Sequence, residues 1–185
     1  MDCLIVECSF AKKDPRSLPH HVQVGDGAPM APAWNVYQGN QVRIVRRWFP
    51  FVSTDVLIFS GKFGLLDPRS VIPLYNQKLT WHMARDKEWR ETHIVEAWEW
   101  LTECDVGKYT HVYHSLNRAY EHALCAGLRE FGVSPSPLVA GYTSRGLRLQ
   151  ALRSFCQERH DPHGIVSCVG GVPTVVGRQL RLWAN

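Results

Sequence analysis

The stretch Asp55-Val56-Leu57-Ile58-Phe59-Ser60-Gly61-Lys62-Phe63-Gly64 decides the fold class. Val56 to Phe59 run without a polar break, rich in β-branched residues, and stop at a serine and a glycine. A short apolar run bounded by turn residues reads as a strand buried on both faces. Two other segments share the pattern. Cys3-Leu4-Ile5-Val6-Glu7 ends at Cys8-Ser9, and Thr110-His111-Val112-Tyr113-His114 ends at Ser115. Between them lie segments with apolar residues three and four apart: residues 34–48, residues 86–104, and residues 117–131 closed by Gly132. A last helix opens at Thr143-Ser144-Arg145 and runs to about residue 159. Strands alternating with helices predict an α/β fold: three layers, with a mainly parallel sheet of about four to five strands and helices on both faces.

Working outward, residues 10–33 read as a long loop rich in Pro, Gly, His and Lys, a length that marks function or disorder. Residues 62–75 read as a structured loop, and residues 137–140 as a short fourth strand. Residues 1–160 form the α/β domain. Residues 161–185 are expected to form an extension packed on it that could add a strand at 165–169 and a basic helix at 177–183.

The chain of 185 residues is long enough for a substantial core, and 45% hydrophobic against 21% charged residues excludes wholesale disorder. No apolar run reaches the roughly 20 residues a membrane span needs. The first residues lack the basic start and apolar stretch of a signal peptide, so a cytoplasmic location is expected. A net charge of +4 suits a phosphate-bearing partner without demanding one. The six cysteines include no C-x-x-C pair, which disfavours zinc ribbons and redox dithiols. Nine histidines include no H-E-x-x-H, so no metal and no cofactor is expected. His160 and His163 remain a loop pair that could bind a metal. Oligomeric state is not legible. Seven tryptophans can serve core, interface or base stacking.

In parallel α/β sheets ligands sit beyond the carboxyl ends of the strands. The residues there are Cys8 and Ser9, Ser60, Gly61 and Lys62, His114 and Ser115, and Ser144 and Arg145. Backbone amides in Ser60-Gly61-Lys62-Phe63-Gly64 can cradle an anion and Lys62 can add a charge; the same pattern also fits a tight turn. No P-loop occurs, which disfavours a nucleoside-triphosphate motor. Cys8 near Lys12 and Lys13 fits an activated thiol or a buried one. Ser144 and Arg145 fit an anion site or a plain helix cap. Arg43, Arg46 and Arg47 fit a solvated helix face or a nucleic-acid stripe.

Phe59-Ser60-Gly61-Lys62-Phe63-Gly64-Leu65-Leu66-Asp67-Pro68, followed by Val71-Ile72-Pro73-Leu74-Tyr75, resembles the "LSAKYGLLDP…VIEPYD" signature of the DUF6884 family. Cys8-Ser9 with Lys12, Ala33, Tyr37 and Gly39 is similar to that family's "CS…K…A…LYxG", and the similarity covers roughly residues 3–155. Gly61 stands where Ala is usual, Phe63 where Tyr is, and Asn76 where Asp is. That family resembles the YaaA (DUF328) peroxide-stress proteins. A shorter stretch, Cys8-Ser9 with Lys12, Ser17 and His20, is similar to a motif of archaeosine synthase.

The resemblance implies little by itself: the DUF6884 family is of unknown function, and YaaA-like proteins are associated with DNA binding and protection from oxidative damage. Taken with the strand-end residues, it leads to the expectation of an enzyme acting on a nucleobase, nucleoside or nucleotide, by N-glycosyl cleavage or exchange or by modifying a purine-like base, free or within DNA or tRNA. Cys8 and Asp67 are then the expected catalytic residues. Ser9, Lys12, Tyr37, Ser60, Gly61, Lys62, Tyr75, Ser144 and Arg145 are the expected substrate-binding residues. The rival reading is a non-enzymatic, YaaA-like DNA-binding stress protein with a basic surface joining Arg43, Arg46 and Arg47 to Arg178 and Arg181.

Overall fold

The computed structural model describes residues 1–9, 11–19, 21–24, 28–48, 54–102, 109–141 and 144–159. In chain order these form β1 (Asp2–Glu7), a 3-10 turn (Pro15–Ser17), β2 (Val22–Val24), β3 (Ala28–Pro32), α1 (Ala33–Val36), α2 (Asn40–Trp48), β4 (Thr54–Ser60), β5 (Gly64–Leu66) and β6 (Val71–Pro73). There follow α3 (Trp81–Arg85), α4 (Lys87–Arg90), a π-helical turn (Glu91–Val95), α5 (Glu96–Thr102), β7 (His111–Ser115), α6 (Arg118–Leu128), a second 3-10 turn (Arg129–Phe131), β8 (Ser136–Pro137) and α7 (Arg145–Glu158).

The main sheet has five strands in the order β5-β4-β1-β7-β8. β4, β1, β7 and β8 run parallel, and β5 is antiparallel at one edge. The apolar runs put β1 and β4 at the centre, where Leu4, Ile5, Val6, Ile58 and Phe59 are fully buried. α2 packs on β1 and α7, and α7 packs on β7. α6 packs on α3, α4 and the π-turn, while the π-turn and α5 cover β5. The fold is α/β with a mostly parallel sheet.

Several boundaries differ from the sequence reading, each for a local reason. The loop at 10–33 contains β2 and β3, which with β6 make a second, antiparallel sheet. The helix expected over 34–48 is broken into α1 and α2, because residues 37 and 38 pair with the Ala11–Lys13 segment instead. The 62–75 loop holds two strands. The expected strand at 137–140 is a two-residue pairing at Ser136–Pro137. Side-chain caps set the helix starts: Thr80 for α3, Asp86 for α4, Asn117 for α6 and Ser144 for α7. Gly64 has φ 69°, and a Cβ there would overlap the carbonyl of His93 in the π-turn. Only glycine permits that approach. Residues 160–185, with the expected extension, His160, His163, Arg178 and Arg181, lie outside the described residues.

Candidate functional site

In the sheet β4 lies on one side of β1 and β7 on the other, and from β7 the chain goes outward to β8. The carboxyl ends of β1 and β7 are therefore where the connections diverge, the usual ligand position in such sheets. Five segments converge here. Cys8 extends β1 and its amide donates to the Phe59 carbonyl at 2.9 Å. Its Sγ lies 3.5 Å from the Tyr120 hydroxyl and 4.0 Å from the Tyr75 hydroxyl. The Tyr75 hydroxyl also meets Tyr37 Oη at 2.6 Å and Ser60 Oγ at 2.8 Å. Lys12 Nζ sits 4.3 Å from the centroid of the Tyr75 ring, and Lys62 Nζ sits 5.8 Å from it. Cys8, Lys12, Tyr37, Ser60, Lys62 and Tyr75 thus form one cluster.

Burial dominates the electrostatics. It pushes the Cys8 thiol up, against smaller opposing effects of Tyr120, the Gly61 backbone and Lys12. It also pushes up the phenols of Tyr37, Tyr75 and Tyr120. Lys12 is pushed down by its own partial burial. The cluster therefore holds neutral O–H and S–H donors beside two ammonium groups, and Cys8 here is a thiol rather than an activated thiolate.

Gly61 and Ser9 have structural tasks. A Cβ on Gly61 would overlap the Leu79 amide and sit 3.0 Å from the Tyr120 hydroxyl. Glycine here lets residues 78–79 close over the cluster. Ser60 Oγ accepts from the amides of Lys62 at 3.1 Å and Phe63 at 3.0 Å. Two amides of the expected anion cradle are therefore already engaged. Ser9 Oγ accepts from the Gly39 amide at 2.8 Å and donates to the Ala11 carbonyl, latching the loop to the start of α2.

Asp67 is not part of the cluster. β5 runs antiparallel to β4, with Leu66 opposite Ile58, and carries Asp67 back toward the amino end of the sheet. There it binds Arg69 at 2.9 Å and accepts from the Arg69 amide at 2.7 Å. The carboxylate at the carboxyl end is Glu7, which sequence reasoning treated only as the last residue of a strand. Its Oε2 accepts from the Asn117 amide at 2.9 Å. Burial raises its pKa, opposed by Asn117 and by the charges of Arg148 and Arg145. Arg145 reaches this corner only through its charge on Glu7, and the Ser144 hydroxyl caps α7 by accepting from the Leu147 amide at 3.3 Å. Tyr120 was also missed. Its signal was the Asn117 cap, which places Tyr120 in the first turn of α6, at the end of β7.

No group of three or more potential metal ligands occurs among the described residues, and none of their helices is long and apolar enough to cross a membrane. No family model, curated protein or solved structure matches the chain.

Proposed function

We propose that the protein is an enzyme acting on a nucleobase-bearing substrate, by hydrolysis or exchange of the N-glycosyl bond. The observation that supports this reading is the convergence of Glu7, Cys8, Lys12, Ser60, Tyr75 and Tyr120 at the diverging end of a parallel sheet. Neutral hydroxyl and thiol donors suit the ring nitrogens and carbonyls of a base. Lys12 and Lys62, beside Tyr75, suit a phosphate or sugar oxygen.

Glu7 takes the role first assigned to Asp67. A buried carboxylate with a raised pKa is a stronger base than an exposed one. In hydrolysis it accepts a proton from the attacking water. The water oxygen bonds to C1′, the C1′–N bond breaks, and its electron pair leaves with the base. The base takes up the proton that Glu7 accepted, which restores the carboxylate.

The test is chromatographic. Purine and pyrimidine nucleosides and 5′-nucleotides are incubated with the protein, and released base is quantified. Release that falls at least about 100-fold in Glu7→Gln, in line with loss of a general acid–base group, supports the proposal. Release that is absent for every substrate, or unchanged in Glu7→Gln, overturns it.

A further inference from the structure

A second feature adjoins the cluster. α3, α4 and α6 enclose an open groove of about 760 Å³, lined by Trp81, Arg85, Arg90, Arg118 and Arg129, with Glu121 the single carboxylate among its walls. Trp81 is 40% exposed, a large apolar surface to leave in water. Arg85 and Arg118 flank its ring, their Cζ atoms 5.4 and 5.5 Å from the centroid. The His122 ring lies 5.7 Å away on the same indole. Arg90 is held by a 3.0 Å bond from Nη1 to the Ala84 carbonyl. Nothing in the proposed reaction uses these residues.

We propose that this groove binds a single strand of nucleic acid, its phosphodiesters held by the arginines and one base lying against Trp81. Guanidiniums gathered beside an aromatic ring offer planar forks of N–H donors, which suit phosphate oxygens. An aromatic platform among cations is how single strands are held without sequence preference. The groove has the volume of a small-ligand pocket, enough for a few unstacked nucleotides, and it is concave where a duplex is convex. It also leads to the cluster. Trp81 lies two residues beyond Leu79, whose amide donates to the Tyr120 hydroxyl at 3.5 Å. Arg118 lies two residues before Tyr120 on α6. A strand in the groove would thus deliver a neighbouring base toward Cys8. That delivery rests on the function proposed above; the binding of the strand does not.

The test is fluorescence anisotropy with labelled dT12 and rU12 strands and a 12-base-pair duplex, between 50 and 200 mM salt. Saturable binding of at least one single strand, tighter than the duplex, is expected. In Arg85→Glu/Arg118→Glu affinity should fall at least tenfold at the lower salt. The slope of log K against log salt should shrink by about 1.4, at about 0.7 per lost phosphate contact. Arg85→Gln/Arg118→Gln, with thermal unfolding as a fold check, should show the same trend. Arg43→Glu/Arg47→Glu on α2 should bind as the parent does. The strand that binds better, DNA or RNA, identifies the source of the phosphodiesters. Equal binding by the parent and the groove variants, equal loss in the α2 variant, or preference for duplex would overturn the proposal. Strand binding without base release would leave the groove standing and sink the catalytic reading. Base release from nucleosides without strand binding would do the reverse.

Discussion

The two ends of the main sheet solve the burial of polar groups in opposite ways. At the amino end acidic side chains meet partners near water. Asp2 is 3.3 Å from Arg159 and 3.2 Å from His111, Asp55 accepts from the Tyr109 hydroxyl at 3.1 Å, and Asp67 is bound to Arg69. Such pairs near solvent contribute about 0–1 kcal/mol each. At the carboxyl end a thiol, a serine and three phenols are packed out of water and satisfy one another. A buried polar group that loses its partner costs about 1–3 kcal/mol. The difference separates charges that can be exchanged freely from hydroxyls that cannot.

Breaking the carboxyl end at its backbone should have the largest effect. Gly64→Ala places a Cβ against the His93 carbonyl at a positive φ, and should destabilise by more than about 3 kcal/mol from overpacking plus strain. Urea denaturation measures it, and a change below 1 kcal/mol would contradict the packing described.

Acid comes next. His114 is buried on β7, with Glu121 Oε1 4.0 Å from its Nε2 and, among the described residues, no hydrogen-bond partner on either ring nitrogen. Burial pushes its pKa down to about 4, and burial shifts His93 the same way. The unfolded chain, with histidine near 6.5, binds more protons between about pH 6.5 and 4. Stability should therefore fall as pH falls through that window, by roughly 2–3 kcal/mol for His114. The slope should flatten in His114→Leu, and a parallel pH profile in that variant would refute the assignment.

Tyr75→Phe removes the hydroxyl shared by Tyr37, Ser60 and Cys8. A loss of about 1–3 kcal/mol is expected, together with any base-releasing activity. The same one-atom deletion at Tyr109, bound to Asp55 near the amino end, should cost less. Equal losses would erase the contrast between the ends.

Arg69→Ala should have the smallest effect, within about 1 kcal/mol, and should leave base release unchanged. A large fall in release would return Asp67 to the mechanism.

The parts legible in the sequence were those whose signal is local. β1, β4 and β7 announce themselves as apolar runs ending in small polar residues, and α6 as a capped periodic segment. β3 was hidden because prolines at 29 and 32 argue against a strand, and β2 because three residues are too few to show a period. They form at all because β6 pairs along β3. Cys8, Lys12, Tyr37, Ser60 and Tyr75 could be listed together because each follows a strand or carries the resemblance. Asp67 was misplaced because nearness in sequence stood in for nearness in space, and an antiparallel edge strand reverses that. Tyr120 and the arginine groove depend on how α3, α4 and α6 pack, which no single segment encodes.

The most direct test of the central claim is ligand-dependent thermal unfolding with free bases, nucleosides and nucleotides, in the parent protein, Cys8→Ser and Tyr75→Phe. A ligand at 100 times its Kd adds about 2.7 kcal/mol of stability. The account predicts a clear rise in Tm for at least one base-bearing ligand in the parent, much reduced in Tyr75→Phe and Cys8→Ser. No shift with any such ligand, or a shift unaltered in both variants, would contradict the placement of the site at the carboxyl end of the sheet.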